Sequence, residues 1–201
     1  MKALALTVVF SSPAFAADTY VIDKDHSSIG FSVTHLMVST VRGEFTDYAG
    51  TITWDSDPNA ILAEATIQAT SVDTREPDRD THLRKAEFFD VTNFPTIKFK
   101  TKSVKKEGDN YLLTGDLTIR DVTKEITLPA SIKGPVKSPF GKEVIGLSGQ
   151  VVINRQDFGV SWNKTMDQGG VVVGDIVTLE INIEADKQAP PAPAMEKEEK
   201  K

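Results

Sequence analysis

The residues of this 201-residue chain whose types suit acid–base or metal chemistry are its three histidines, His26, His35 and His82. No two of them stand at H-x-H or H-x-x-x-H, the spacings that set two imidazoles on one face of a strand or a helix, so no zinc or iron site is expected. The chain has no cysteine, which removes thiolate ligands, thiol nucleophiles and disulfides together. Serine, histidine and aspartate are present, yet no G-x-S-x-G turn accompanies them and hydrolysis is left without a residue to carry it. Asp73, Arg75, Asp78, Arg79, Asp80, His82 and Arg84 crowd into one stretch, where a carboxylate and an imidazole can exchange a proton. Alternating signs in a loop more often hold it closed through salt bridges, and that reading is adopted here. No catalytic residue and no metal ligand is assigned. His35 differs in kind: it shares the parity of Phe31 and Val33, which points an imidazole among apolar groups, where it needs a hydrogen-bond partner or the polar head of a ligand.

The elements that must position these residues read as strands. Ile29, Phe31 and Val33 alternate with Ser28, Gly30, Ser32 and Thr34, and the period of two returns around Phe45, Ile52 and Trp54. Ala63, Ala65, Ile67 and Ala69 mark one face of the next strand, and their small size leaves room on that face. Ile97, Phe99 and Thr101 alternate with lysines, and Lys106–Asn110 is a hairpin turn into Tyr111–Ile119. Further strands carry Ile126, Leu128, Ala130 and Ile132, then Ile145, Leu147, Gly149, Val151 and Ile153, then Val177, Leu179, Ile181 and Ile183. Gly134-Pro135 with Ser138-Pro139-Phe140-Gly141 reads as a longer loop between two of them.

Two stretches break the rhythm. Between Ser71 and Asn93 no period of two survives; Pro77 sits in its middle, and Thr81 can cap a short helix through His82–Phe89 that buries Leu83, Ala86, Phe88 and Phe89. Phe88 and Phe89 are expected to plug a barrel end or cover its wall. Asn154–Gly174 is long for a structureless connection, a length that often marks a lid or a rim, and Asn154, Arg155 and Asp157 are expected to pin it by ion pairing.

Eight or nine amphipathic strands without a βαβ rhythm make an all-β chain. An eight-stranded antiparallel up-and-down barrel with a short helical segment near residues 75–90 is favoured over a sandwich, because closure removes exposed edges. Such a barrel is just wide enough to hold one small ligand or to be filled by its own side chains, and pattern alone leaves both open. The inward parity gives a candidate ligand-binding set of Ile29, Phe31, Val33, His35, Phe45, Ile67, Phe99, Leu117, Ile119, Leu128, Leu147 and Leu179. Almost all are hydrocarbon, which suits a long apolar chain. Three function classes compete: a lipid-binding module, a small lipid-modifying enzyme, and a structural or stress-protective protein with a filled interior. The first needs no catalytic residue and is preferred; the chain is not expected to be an enzyme.

Residues 1–16 read as a signal peptide, with Lys2, an apolar run from Ala3 to Phe10 and a small-x-small site ending at Ala16. Residues 17–187 form the single domain. Residues 188–201, rich in Pro, Ala, Lys and Glu, cannot bury apolar surface and are expected to be disordered. The apolar run is too short to span a bilayer. The net charge of −6 argues against a nucleic-acid partner.

Ordered short blocks then carry a resemblance. Asp25-His26-Ser27 with Ile29-Gly30-Phe31-Ser32-Val33, Val41-Arg42-Gly43-Glu44-Phe45, Ser71-Val72-Asp73-Thr74, Arg79-Asp80-Thr81-His82-Leu83-Arg84, Phe94-Pro95-Thr96-Ile97, Gly115-Asp116-Leu117-Thr118-Ile119 and Asn154-Arg155 with Asp157-Phe158-Gly159 resemble the YceI-like family from about Asp23 to Glu184. Asp121, where the family often has glycine, is a small departure. The resemblance implies a lipocalin-like barrel exported to the periplasm, whose tunnel binds a polyisoprenoid or similar long-chain lipid with no other cofactor. Whether two chains pair as a homodimer is left open.

Overall fold

Period-two alternation closes into a barrel. The structure, a computed structural model, describes residues 17–54, 57–167 and 169–189. Ten strand segments run in chain order: β1 (Asp18–His35), β2 (Ser39–Phe45), β3 (Tyr48–Trp54), β4 (Leu62–Gln68), β5 (Val72–Asp73), β6 (Thr96–Glu107), β7 (Asn110–Ile119), β8 (Val122–Lys137), β9 (Glu143–Asn154) and β10 (Val173–Lys187). β2 pairs with the second half of β1 and β3 with its first half, while β5 and β4 pair with β2 and β3 in turn. β2 with β3, and β4 with β5, are thus single barrel strands broken at mid-length. The result is an eight-stranded antiparallel barrel closed by β10 on β1, with one short helix, α1 (Pro77–Leu83). Among the described residues no helix is long and apolar enough to cross a membrane. Residues 1–16, read as signal peptide, lie outside the described residues, as does the tail apart from Gln188 and Ala189.

Antiparallel pairing gives the barrel two unlike ends. The lower end carries the β6–β7 and β8–β9 turns; the upper end carries the β1–β2 turn, the segment from α1 to Phe94, the β7–β8 turn and residues 155–172. β7 shows the patterning at its simplest, with Tyr111, Leu113, Gly115, Leu117 and Ile119 buried in strict alternation. Gly115 has a packing reason: a Cβ there would stand 2.8 Å from the ring of Phe99 and 2.5 Å from the Lys100 carbonyl, so only glycine lets that ring lie across β7. In β1 the alternation changes phase. Tyr20 and Ile22 face inward on even numbers and Ile29, Phe31 and Val33 on odd ones, because the β10 register shifts between Asp23 and Ser28 and residues 24–27 bulge outward.

Two expectations are corrected. The helix does not follow Thr81. It starts at Pro77, whose fixed φ and missing N–H suit the first helical position, and Glu76 caps it by accepting from the backbone N–H groups of Asp78 (3.3 Å) and Arg79 (2.6 Å). Thr81 lies inside it, and Ala86 is exposed in the turns beyond. Gly134-Pro135 lies not in a loop but within β8, where the register against β9 shifts between Lys133 and Val136; the connection is only residues 138–142.

Candidate functional site

Inside the barrel is an apolar cavity of about 190 Å³, set in about 1450 Å³ of space free of protein atoms once its opening is included. A void near 150 Å³ lined by Leu, Ile and Phe already stays dry and admits benzene, and packed interiors hold few gaps larger than a water molecule. The filled interior is therefore not what the structure has. Val177, Leu179, Ile181, Phe31 and Val33 line the cavity and stay only half-buried, because they face empty space rather than packed neighbours.

Eleven of the twelve residues of the sequence-derived set meet at this wall: Ile29, Phe31 and Val33 from β1, Phe45 from β2, Ile67 from β4, Phe99 from β6, Leu117 and Ile119 from β7, Leu128 from β8, Leu147 from β9 and Leu179 from β10. His35 does not join them. β1 keeps its register with β2 through the His35–Ser39 pair, so His35 shares the parity of Val33; it misses the cavity because it is the last residue of the strand, opposite Val173 where β10 is irregular. It ends β1 at the rim, where its carbonyl accepts from the Val38 N–H (3.1 Å) and the Ser39 hydroxyl (3.3 Å). Of the small residues read as one strand face, Ala63 and Ala65 lie on β4 and line the cavity, whereas Ala69 falls beyond the strand, buried in a 3-10 turn away from it.

The polar residues at the wall offer little to a ligand. Glu64 turns its carboxylate outward to Lys100 Nζ, 2.6 Å away. Arg155 is 5% exposed and its guanidinium is spent on the chain: Nε donates to the Gly174 carbonyl (2.9 Å), Nη1 to those of Val160 (2.6 Å) and Trp162 (2.9 Å), and Nη2 to Asp175 Oδ1 (3.0 Å). Burial pushes its pKa down while Asp175 opposes the shift. Arg155 does pin the long connection, but chiefly through carbonyls and Asp175; Asp157 faces Lys124 instead, at 3.8 Å.

The upper wall comes from the end of α1 and from the segments outside the strands: Leu83, Phe88 and Phe89, expected from the sequence to be buried, and Phe158 and Val160, which periodicity could not resolve. Phe88 is buried and Phe89 packs edge-on against Phe45, with ring centroids 5.6 Å apart. Arginines hold this end. Arg84 donates to the carbonyls of Thr70 and Val72, each at 2.7 Å. Arg120, in the β7–β8 turn, reaches those of Phe88 (3.0 Å) and Gly159 (2.9 Å). Arg79 donates to the hydroxyl and carbonyl of Thr74, and buried Asp80 accepts from the Thr74 N–H (2.8 Å) and hydroxyl (2.6 Å). The charged cluster is structural, as read, yet it works through backbone and threonine bonds more than salt bridges. His82, bonded to Glu87 at 2.7 Å, sits edge-on to Phe88 and Trp162. No spacing or motif in the sequence marks Arg120 for this role.

At the lower end Tyr20, fully buried, donates to Glu143 Oε1 at 2.6 Å. Burial and the Glu143 carboxylate push the phenol pKa up, and the same bond holds Glu143 below the usual carboxylate range. Among the described residues, Asp23, His26 and Glu184 bring ligating atoms within 4.8 Å of one another. Asp23 already bonds the largely exposed His26 at 2.9 Å, so the group reads as a surface ion pair.

The chain matches the model of the YceI-like domain over residues 20–185. It is 39% identical over 158 residues to Protein YceI of Salmonella newport (strain SL254), an alignment covering 77% of this chain and 83% of the relative. Among solved structures it is similar to the Campylobacter jejuni YCEI protein, at 30% identity and TM-score 0.66 over 94% of this chain and 100% of the other. Burkholderia cenocepacia BcnA has the same fold at 20% identity and TM-score 0.72, over 82% of this chain and 99% of the other. So does a polyisoprenoid binding domain from Saccharophagus degradans implicated in plant cell wall breakdown, at 14% identity and TM-score 0.64 over 84% and 98%. On the family model and the Salmonella relative together, this chain belongs to the YceI-like family.

Proposed function

We propose that this protein is exported to the periplasm, by cleavage after Ala16, and there binds a polyisoprenoid or similar long-chain amphiphile in its barrel. The observation that carries the reading is the cavity wall: hydrocarbon from all sides, with Arg155 saturated and Glu64 turned away. Each methylene moved from water into such a site gains about 0.8 kcal/mol without asking for a hydrogen bond, so a long unbranched or isoprenoid chain uses the site fully and a polar solute does not. The Saccharophagus domain named for polyisoprenoid binding, which shares the fold, supports the same ligand class. Binding rather than turnover fits a cavity whose one sequence-derived polar candidate, His35, stands outside it.

Chain length would be read by the cavity's dimensions. Ala65 pairs with Phe99 on the neighbouring strand and lines the wall, so Ala65→Phe places a ring in the lumen. Delipidated wild type should take up a labelled long-chain isoprenoid saturably, and the variant should accept shorter chains at similar affinity while losing the longest. No saturable uptake by folded wild-type protein would end this reading.

A further inference from the structure

The β1–β2 turn carries Leu36, Met37 and Val38, which are 40%, 61% and 85% exposed. The other large apolar residues left exposed among the described ones, such as Val21, Leu62, Val152 and Phe140, stand singly in sequence, as is ordinary on a surface. Here three run together. They are also held against backbone preference: Leu36 has φ 51° and Met37 φ 63°, the left-handed region that two-residue hairpin turns normally fill with Asn and Gly. The turn is well anchored, since the Leu36 N–H donates to the Val172 carbonyl (2.8 Å) and the Val38 N–H to that of His35 (3.1 Å). Two bulky apolar side chains are thus kept in a conformation that smaller polar residues would adopt with less strain, and strain retained at a solvent-facing turn points to use.

The setting says what covers the tip. It rises from the upper rim, and Val33 and Val173, which line the cavity's upper end, flank His35 just beneath it. From His26 to Gly43 there is no acidic residue in a chain that has 29, and across the facing segment Val160–Asp167 the charges of Lys164 and Asp167 cancel. An apolar tip whose flanking segments carry no net negative charge, in a protein of net charge −6, is the part of the surface that an anionic bilayer repels least. We propose that Leu36, Met37 and Val38 insert into a lipid surface and set the upper end of the barrel against it, so that a lipid tail passes between membrane and cavity without crossing water. The inference rests on the lipid-binding reading above.

Flotation with vesicles of phosphatidylethanolamine and a minority of phosphatidylglycerol tests it, alongside uptake of isoprenoid supplied in detergent. Wild type should float. Met37→Ser with Val38→Ser should lower the bound fraction about tenfold, because two apolar side chains no longer leave water. Leu36→Asn with Met37→Gly should do the same while raising the Tm, since it relaxes the turn. Phe140→Ser, at the lower end, should float as wild type does, and all variants should take up detergent-borne isoprenoid normally. The proposal is overturned if the relaxed-turn variant is more stable and floats undiminished, if Phe140→Ser is the variant that fails to float, or if the tip instead holds two copies together in solution. Wild type that takes up isoprenoid from detergent but ignores vesicles sinks the docking alone; flotation without any uptake sinks the reading of the cavity.

Discussion

The two ends of this barrel solve the same closure problem with different chemistry. At the lower end strands continue nearly to the turns, and large side chains that do not line the cavity fill the space: Tyr20, Ile61, Tyr111 and Ile145 are all buried there. At the upper end the backbone is irregular, so its carbonyls lack ladder partners and must find donors elsewhere. Arginines supply them: Arg84, Arg120 and Arg155 each donate into two or more main-chain carbonyls, those of Arg120 in segments far away in sequence and those of Arg155 in the connection that follows it. A plug of packed hydrocarbon has no second arrangement at low cost. A lid of backbone segments tied by guanidinium forks can open when those bonds are exchanged for water, and the cavity's upper wall is made of that lid.

Removing a fork should therefore hurt most. Arg155→Met leaves the carbonyls of Val160, Trp162 and Gly174 to find water or go unpaired, at about 1–3 kcal/mol for each one that stays buried. A net loss of roughly 3 kcal/mol, or a Tm lower by about 6–12 °C for a domain of this size, is expected. Hydrogen exchange should speed up in residues 159–173 while β6, β7 and β8 stay protected. Uniform loss of protection would mean the upper end is not a separable unit.

Tyr20→Phe is the matching test at the lower end. It keeps the ring and deletes one hydrogen bond, to a Glu143 that Lys187 also contacts at 3.1 Å, so the loss should be about 1 kcal/mol and the Tm should fall by about 2–4 °C. Isoprenoid uptake should not change, because Tyr20 does not touch the cavity. Slower or weaker uptake would show that the lower end also gates the ligand.

The same division explains what the sequence could convey. Eleven wall residues were legible because they sit in strands, where one unbroken period of two fixes the face: Leu117 and Ile119 need only the rest of β7 to be placed. His35 was misplaced because parity tells which face a residue shares but not where along the barrel the cavity ends: it keeps its register with β2 yet is the last residue of β1, at the rim. The helix start was missed because Pro77 reads equally as a breaker and as a first helical residue, and only the Glu76 side chain decides between them. Phe158 and Val160 follow no period at all; their place depends on Arg155 gathering the connection around itself and on Arg120 reaching the Gly159 carbonyl from another turn, which is information no pattern carries.

The smallest expected effect lies at the one interruption in the lower half of β1, where residues 24–27 bulge and the ladder gives way to side-chain bonding. His26 Nδ1 lies 2.9 Å from Asp23 Oδ2 and 3.9 Å from Glu184 Oε1, with Asp25 a further negative charge nearby. The hydrogen bond to Asp23 comes first in raising the imidazole pKa above its usual value, and it also comes first in lowering that of the Asp23 carboxyl. The raised histidine contributes stability that is fully present below its unfolded pKa, about 6.5, and disappears as pH climbs through the higher folded value. The lowered carboxyl contributes stability present above its unfolded pKa, about 3.9, and lost as pH falls through the lower folded value. Between those two unfolded values the pair is at its most favourable. In Asp23→Asn the His26 resonance should titrate closer to 6.5 than in wild type, and the Tm gap between the two proteins should narrow on going from mildly acidic to alkaline solution. Because the imidazole is exposed and screened, that gap should be the least of the three and should shrink in high salt. An unchanged His26 titration in the variant would mean that the bulge is held by its backbone alone, and that Ser27, whose hydroxyl donates to the Glu184 carbonyl at 3.1 Å and accepts from the Glu184 N–H at 2.9 Å, closes the break in the ladder without help from charge.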